Sequence, residues 1–380
     1  MELCRPSLVI GQNEMINKIL GGVLMESRPY YEQVDRDNVI KLRELISTLP
    51  PYVRTFFRGI EPNTSSRTRI AYAYDLHVFF QFLKKENPLF KDRAIAQISL
   101  EELDQLTPID LEEYMEYLKY YSTVDEDGVV ISDKVNRDRG IARKMSSLKT
   151  FYNYFYRKQI INNNPAALVT LPRNHEKPII RLDIDEVVQL LDTVEAGEGL
   201  TKRQIAYYQK TRQRDLSILT LMLGTGIRVS ECVGLDIKDI DFKNDGLKIH
   251  RKGGKEVIIY FGDEVRDALE AYLEERKRQV TEIGHEQALF LSMQNKRISV
   301  RSVENLVKKY TQIATPLKHI TPHKLRSTYG TALYRETGDI YLVADVLGHS
   351  DVNTTKKHYA AIEDERRRKA RSAVRLREEE

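Results

Sequence analysis

The sequence contains no tryptophan, only two cysteines and almost no excess of either charge. Cys4 and Cys232 stand far apart and lack the close spacing of metal ligands, so we expect neither a disulfide framework nor a metal site. This cysteine usage favours a reducing compartment, the cytoplasm. No apolar run reaches the roughly 18 residues of a membrane span. Polar residues interrupt the apolar part of the N-terminal stretch, which therefore does not resemble a secretory signal. We expect no membrane partner.

The basic residues are clustered, although 60 lysines and arginines nearly cancel 56 acidic residues and leave a net charge of +4. Such a balance permits binding to nucleic acid without requiring it, so the local distribution matters more. Clusters occur at residues 65–69, 139–144, 250–255 and 365–377. Each alone is typical of a solvated helix face or turn, but four in one chain indicate DNA binding. The candidate DNA contacts are Arg67, Arg69, Arg143, Lys144, Arg251 and Lys255.

The length of 380 residues predicts two domains, since a single core seldom grows beyond about 250 to 300 residues. Residues 1–36 form an N-terminal extension to which we assign no role. Residues 37–170 carry apolar residues at helical spacing and predict an all-helical bundle. The prolines and polar residues of 171–182 predict a linker. Residues 183–380 predict a second helical domain with a β-rich insert.

The stretch "LTLMLGTGIRVSECVGL" positions the first candidate catalytic residue. Its apolar helix is expected to end at Gly224, and Ser230 is a suitable cap for the next helix. Arg228 stands at this junction, where a guanidinium can leave the core and reach a ligand. Glu231 can hold that guanidinium, either as a purely structural tie or while Arg228 also binds an oxyanion.

The stretch "KIHRKGGKEVII" predicts a tight β-hairpin, because Gly253 and Gly254 stand between two strand-like segments. Lys252 and Lys255 are expected at its tip. A lysine there either makes the turn soluble or enters the site of a bound substrate, and the hairpin alone does not decide between these roles.

Two further stretches carry histidines. Thr321 and Pro322 predict the start of a helix with His323 and Arg326 on one face, and the positive end of that helix favours an anion such as phosphate. Further on, Gly348 is the expected C-cap of another helix. His349 follows it directly and Tyr359 comes ten residues later. By its own position, Tyr359 is a core aromatic, a hydrogen-bonding partner of a phosphate or a nucleophile.

The order of these residues resembles that of the tyrosine recombinases, the lambda-integrase family. "TGIRVSE", "HRKGGK", "TPHKLR", "LGHSDVNTT" and "HYA" match the family's boxes in order and approximate spacing, and the resemblance covers nearly the whole chain. Within the family the chain looks most like the Xer group, and "RKGGK", "ALFLS" and "TPHKLR" are similar to the one-protein XerS type. Ser327 stands where many relatives have a second histidine.

The resemblance implies a mainly α fold with a small β-hairpin or sheet insert, in which a helical SAM-like core-binding domain precedes a mixed α/β catalytic domain. It makes Tyr359 the nucleophile that forms a 3′-phosphotyrosine, and Lys252 the general acid for the departing 5′ oxygen. No cofactor is implied. The residues that would hold the phosphate are Arg228, Arg326, His323 and His349.

The resemblance also implies partners: duplex DNA carrying a specific site, a homotetramer on two such sites, and an accessory protein such as a septal DNA translocase or an excisionase. Chromosome-dimer resolution, linked to chromosome partition and cell division, and integration or excision of a mobile element both remain open. For the stretch after Tyr359, docking on a neighbouring protomer and lying on DNA are both open. The rival functions are DNA relaxation by a type IB topoisomerase and DNA binding without catalysis. The Xer-like motifs and the presence of all six catalytic positions favour recombination.

Overall fold

The structure, a computed structural model, divides the chain into two compact units between Glu176 and Lys177. This point falls inside the segment 171–182 that the sequence suggests as a linker, and the exact domain limits stay a prediction. Among the described residues, every helix is too short or too polar to traverse a lipid bilayer. The structure describes residues 29–91, 93–124, 130–173, 180–251 and 254–348.

The first unit is mainly helical, and aromatic side chains fill its core. Phe151 lies at its centre, with ring centroids 5.2 Å from Phe56 and 5.1 Å from Phe155. Its helices are α1 (Tyr30–Ser47), α2 (Pro51–Ile60), α3 (Ser66–Glu86), α4 (Leu100–Leu103), α5 (Pro108–Lys119), α6 (Asp138–Arg157) and α7 (Pro165–Leu168).

Helix α1 begins at Tyr30, inside the segment 1–36 that the sequence pattern left as an extension. Polar contacts connect its first turns to the start of α3. The Ser66 hydroxyl donates to the Asp35 carboxylate at 2.6 Å, and the Asn38 side-chain amide donates to the Ser66 hydroxyl at 3.0 Å. These residues add no apolar periodicity, which is why the pattern alone placed the start of helical structure too late.

A β-hairpin interrupts the first unit, so the prediction of an all-helical bundle was wrong. Strands β1 (Tyr120–Val124) and β2 (Val130–Val135) pair antiparallel, with Tyr120 opposite Val135. β-Branched and aromatic residues are frequent in both strands, and these residue types favour extended backbone. This strand signal is short, and the sequence-based prediction missed it because the segments on either side have strongly helical patterns.

The second unit surrounds the long helix α9 (Lys202–Thr225), in which Ile218, Leu219 and Met222 are fully buried. The other helices that the structure describes in this unit are α8 (Ile184–Ala196), α10 (Val229–Gly234), α11 (Asp263–Arg276), α12 (Val300–Ala314), α13 (Pro322–Thr337) and α14 (Ile340–Leu347). An antiparallel sheet of order β3-β4-β5 follows α10, and its strands are β3 (Ile240–Asp241), β4 (Gly246–His250) and β5 (Glu256–Tyr260). The mainly α fold with a small sheet insert is thus confirmed.

The predicted hairpin is present between β4 and β5, but its loop is longer than expected. Beyond the strands, the Arg251 N–H donates to the Lys255 carbonyl at 2.8 Å, so residues 252–254 separate the last pair. Gly254 has φ +76°, a left-handed conformation that glycine adopts without strain. A glycine of this kind at the end of a three-residue loop is typical of hairpins with a bulge. The hairpin itself is therefore confirmed, with one residue more between the last pair than the two glycines.

A buried carboxylate connects α9 to α12. Asp215 is 1% exposed, and its Oδ1 accepts from Arg214 Nε and Nη2 at 3.1 and 2.6 Å. Its Oδ2 accepts from Lys309 Nζ at 2.9 Å and from the Tyr310 hydroxyl at 3.0 Å. Donors thus satisfy both oxygens of the carboxylate, and its negative charge offsets two cations.

Replacement of this carboxylate should destabilise the second unit strongly. Asp215→Ala leaves Arg214 and Lys309 as largely buried cations without their anion, which should lower the free energy of unfolding by about 3–5 kcal/mol. Urea unfolding followed by circular dichroism measures this, since the chain has no tryptophan for fluorescence. Asp192→Ala removes an exposed carboxylate from α8 and is the matched control, with an expected change within about 0.5 kcal/mol. Equal losses in both variants would contradict a special role for Asp215.

Candidate active site

Arg228 occupies the N-cap position of α10, and Glu231 holds it there. The Glu231 carboxylate accepts from the Arg228 backbone N–H at 2.7 Å and from Arg228 Nη1 at 2.8 Å. The first contact satisfies an N–H that would lack a partner at a helix start. This explains why α10 begins at Val229 with Arg228 as its cap, so the prediction that Ser230 caps this helix was wrong.

The ion pair of Arg228 and Glu231 has a buried and an exposed member. The Glu231 side chain is 5% exposed, whereas that of Arg228 is 39% exposed. A buried carboxylate therefore fixes a guanidinium that solvent, or a ligand, can still reach. Within the part of the chain that the structure describes, Arg228 makes one further hydrogen bond, from Nη2 to the Gly348 carbonyl at 2.9 Å.

Arg326 lies one turn into α13 and is buried, with 4% exposure. Its Nη1 donates to the Gly226 carbonyl at 2.6 Å, and its Nη2 donates to the Leu347 carbonyl. Gly226 has φ +63°, and a Cβ there would lie 2.3 Å from Cδ1 of Tyr329. Both the backbone conformation and the neighbouring ring therefore require glycine at the turn that receives Arg326.

Arg251, on the hairpin, makes the third contact of this kind. Its Nη1 donates to the Asp345 carbonyl at 3.2 Å, and its Nη2 donates to the Val346 carbonyl at 2.6 Å. Gly348 has φ +61°, and a Cβ at this position would lie 2.3 Å from Arg251 Nη1. The predicted C-cap at Gly348 is confirmed, and the absence of a side chain there gives the guanidinium its space.

Three arginines from separate elements thus bind one helix end. We call the carbonyl oxygens of residues 345–348 the carbonyl end of α14. The last carbonyls of a helix lack intrahelical donors and carry the negative end of the helix dipole, so cations stabilise them. The sequence indicated Arg228 and Arg326 as a pair, and the structure brings them together here. Nothing in the sequence marked the carbonyl end itself, because every residue has a backbone carbonyl.

His323 is exposed in the first turn of α13. Thr321 is the N-cap and Pro322 the first residue of this helix, which confirms the predicted helix start. Ser327, where a second histidine was noted in relatives, donates its hydroxyl to the His323 carbonyl at 3.1 Å. His323 therefore stands at the positive end of the helix that also carries Arg326.

Lys252, His349 and Tyr359 lie outside the described residues, so their assigned roles stay predictions. Two of them directly follow residues that the structure describes. Lys252 follows Arg251 in the chain, and His349 follows Gly348.

The predicted DNA contacts differ in their surroundings. Arg67 and Lys255 are exposed. The Arg69 side chain is 8% exposed and forms an ion pair with Glu61 at 2.5 Å, so it belongs to the packed interior of the first unit rather than to its accessible surface. Arg251 is half-buried on the carbonyl end of α14.

The remaining pair of predicted DNA contacts lies on α6, where both side chains have local partners. Arg143 is 51% exposed and pairs with the buried carboxylate of Asp75 at 2.5 Å. Lys144 Nζ donates to Oδ1 of Asn136 at 3.3 Å, and burial lowers the pKa of this lysine. Arg143 is therefore the more accessible cation of the two.

Burial makes many described tyrosines, and the described cysteine, poor nucleophiles. Burial raises the pKa of the Cys232 thiol to about 12, so it stays protonated at neutral pH. A phenol with a raised pKa is likewise a weak nucleophile. Burial raises the pKa of nine tyrosines, which are Tyr52, Tyr114, Tyr117, Tyr121, Tyr152, Tyr208, Tyr272, Tyr310 and Tyr329.

Comparisons of sequence relate the chain to known recombinases. The profile of the phage integrase family matches residues 181–366. Tyrosine recombinase XerC of Caldanaerobacter subterraneus is 34% identical over 333 residues, which cover 84% of this chain and 86% of the relative. Tyrosine recombinase XerD of Staphylococcus epidermidis is 30% identical over 300 residues, which cover 79% of this chain and 90% of the relative.

Comparisons of structure agree on the fold. The Tn1549 transposon integrase in complex with transposon right-end DNA has a TM-score of 0.57 at 21% identity, covering 84% of this chain and 99% of that chain. A lambda integrase dimer bound to a core site has a TM-score of 0.55 at 15% identity, covering 80% of this chain and 92% of that chain. At these identities the likeness concerns the fold, which is that of the two-domain tyrosine recombinases.

Two glycine variants separate steric collision from backbone strain at the turn that receives Arg326. Gly226→Ala adds a methyl group that meets Tyr329 and also strains a left-handed backbone, whereas Gly254→Ala has a similar φ but nothing within 4 Å. The strain alone should cost about 1–2 kcal/mol. We expect a clearly larger loss of unfolding free energy for Gly226→Ala in urea unfolding. Equal losses would contradict the importance of the Tyr329 contact.

Proposed function

The chain belongs to the phage integrase family of tyrosine recombinases, and from this premise we propose that it cuts and rejoins DNA at a specific site, with Tyr359 as the nucleophile. The observation that carries the proposal is the attachment of two guanidiniums to consecutive carbonyls. Arg326 and Arg228 bind the carbonyls of Leu347 and Gly348, immediately before His349 in the chain.

The two arginines are suited to hold a phosphodiester. Arg228 has five side-chain N–H groups and uses two of them on described partners, so others are available to a phosphate oxygen. Arg326 supplies a second positive charge from a buried, fixed position. Because the transition state concentrates negative charge on the non-bridging oxygens, such preorganised donors stabilise it more than the ground state.

The proposed reaction breaks one bond and makes one. The Tyr359 oxygen attacks the phosphorus as its proton passes to His323, and the bond from phosphorus to the 5′ oxygen breaks. Lys252 donates a proton to that departing oxygen as general acid. His349 adds a hydrogen bond to the phosphate. The products are a 3′-phosphotyrosine and a free 5′ hydroxyl.

The covalent ester makes rejoining possible without an energy source. A phosphotyrosyl bond keeps much of the energy of the broken phosphodiester, so a 5′ hydroxyl of another strand can attack it and reverse the reaction. The tyrosine also replaces the metal-activated water that other strand-cutting enzymes use. We therefore propose that neither a cofactor nor a metal takes part.

The proposed partners follow from exchange between two duplexes. Four protomers would hold two DNA sites in the cytoplasm, with exposed cations such as Arg67 and Lys255 on the phosphate backbone. An accessory protein, a septal translocase or an excisionase, would direct the exchange to a chromosomal site or to the ends of a mobile element. The sequence of the bound DNA separates these two outcomes.

Replacement of the nucleophile should abolish covalent attachment to DNA. Host cells expressing Tyr359→Phe are lysed in detergent, the protein is captured under denaturing conditions and any surviving DNA is sequenced. We expect adducts with the native chain and none with Tyr359→Phe. Tyr341→Phe removes the hydroxyl of a tyrosine that is 71% exposed on α14 and should retain adducts.

The capture has informative alternatives. Equal adducts with Tyr359→Phe and the native chain would mean that Tyr359 is not the nucleophile. If adducts are missing from every chain, the purified protein is incubated with nicked DNA from the host genome and tested for covalent adducts. A lack of adducts in that assay favours DNA binding without catalysis.

Removal of the accessible guanidinium should slow cleavage. Arg228→Ala should lower the rate of covalent complex formation on the captured site by about 10²–10³-fold. Arg228→Lys should not restore the rate, because an ammonium lacks the planar fork that binds two oxygens. Arg212→Ala removes an exposed arginine of α9 and is the control. An unchanged rate in Arg228→Ala would contradict its role.

A further inference from the structure

Arg251 connects two parts of the second unit through its main chain and its side chain. Its backbone N–H binds the Lys255 carbonyl and closes the hairpin between β4 and β5. Its guanidinium binds the carbonyls of Asp345 and Val346 at the end of α14. We call this guanidinium–carbonyl pairing the Arg251 contact.

The surroundings of Arg251 argue against a role as a surface phosphate ligand. Its Nε is buried and has no hydrogen-bond partner among the described residues. A buried N–H without a partner is unfavourable, so the two charge-assisted bonds to a helix carboxyl end must outweigh it. The glycine at 348 leaves room for this guanidinium. The contact is thus specific, with Nη1 and Nη2 each bound to a backbone carbonyl of α14.

The position of the contact in the chain suggests its purpose. Arg251 directly precedes Lys252, and the bound helix end directly precedes His349. Consecutive Cα atoms are about 3.8 Å apart, so a fixed Arg251 restricts the positions open to the Cα atom of the next residue. In catalysis, a displacement of about 1 Å can reduce the rate by about 10²-fold.

We infer that Arg251 is a positioning residue, which holds the segment leading into Lys252 against the helix end leading into His349. The inference rests on the proposed function, since it acts through the proton that Lys252 gives to the 5′ oxygen. It differs from the sequence interpretation, which made Arg251 a DNA contact.

A substrate that needs no proton for its leaving group tests the inference. In this nicked duplex, carrying the captured site, sulfur replaces the 5′ bridging oxygen of the scissile phosphate. The phosphorus–sulfur bond breaks and the thiolate leaves unprotonated, because a thiol is far more acidic than an alcohol. Arg251→Ala should form the covalent complex about 10²-fold more slowly on the oxygen substrate. On the sulfur substrate it should match the native chain, while its affinity for DNA is unchanged.

Two matched variants define the controls. Arg228→Ala should stay slow on both substrates, because it acts on the phosphate rather than on the leaving group. Arg266→Ala removes another arginine that binds a backbone carbonyl, that of Phe242 in the turn between β3 and β4 at 2.5 Å, and should cleave both substrates like the native chain.

Three outcomes would overturn the inference. Equal slowing of Arg251→Ala on both substrates would mean that the leaving group is not involved. Weaker DNA binding that Arg251→Lys restores, with normal cleavage of the bound complex, would make Arg251 a phosphate contact. The third test is hydrogen exchange without DNA. Arg251→Ala should speed exchange in residues 254–260 and 340–348. Unchanged exchange in both segments would mean that the Arg251 contact does not hold them. A native chain that cleaves neither substrate would instead overturn the proposed function.

Discussion

The carbonyl end of α14 is the constraint around which the second unit is arranged. Four successive carbonyl oxygens at the negative end of a helix accept from Arg228, Arg251 and Arg326. These arginines come from a helix cap, a hairpin and a neighbouring helix, so one backbone segment fixes the relative positions of three elements. The carbonyls also reduce the repulsion among three like charges, which lets a cluster of cations exist before any phosphate arrives.

Glu231 and Asp215 show two different uses of a buried carboxylate in the same unit. Donors surround Asp215, and its carboxylate neutralises positive charge inside the protein, so its role is structural. Glu231 holds a guanidinium that stays partly exposed, so solvent or a ligand can still reach it. The difference lies in the exposure of the cation rather than in that of the acid. By the same reasoning, the buried tyrosines with raised pKa values belong to the framework.

The sequence predicted those features that depend on local side-chain chemistry. Thr321 and Pro322 mark a helix start, Gly348 marks a helix end, and two apolar strands around glycines mark the hairpin. Prediction from sequence failed where a weak local signal stood beside a stronger one, as in β1 and β2. It also failed where a contact with a residue distant in the sequence determined the environment of a side chain. Arg69 and Arg251 look like surface cations in the sequence, but their partners, a carboxylate on a neighbouring helix turn and a pair of distant carbonyls, cannot be read from spacing. Ser230 was a plausible cap until the Glu231 carboxylate took the N–H of Arg228.

The use of backbone carbonyls by these arginines has a consequence for how the chain can vary. The contacts at positions 345 and 346 do not depend on which side chains stand there, since only the helical backbone and its oxygens are bound. Asp345 is exposed, and any residue that keeps the helix would present the same acceptor. A comparison of homologous sequences would therefore register the arginines and the glycine but overlook the residues that they bind. Drift in that part of α14 can leave the geometry of the site intact.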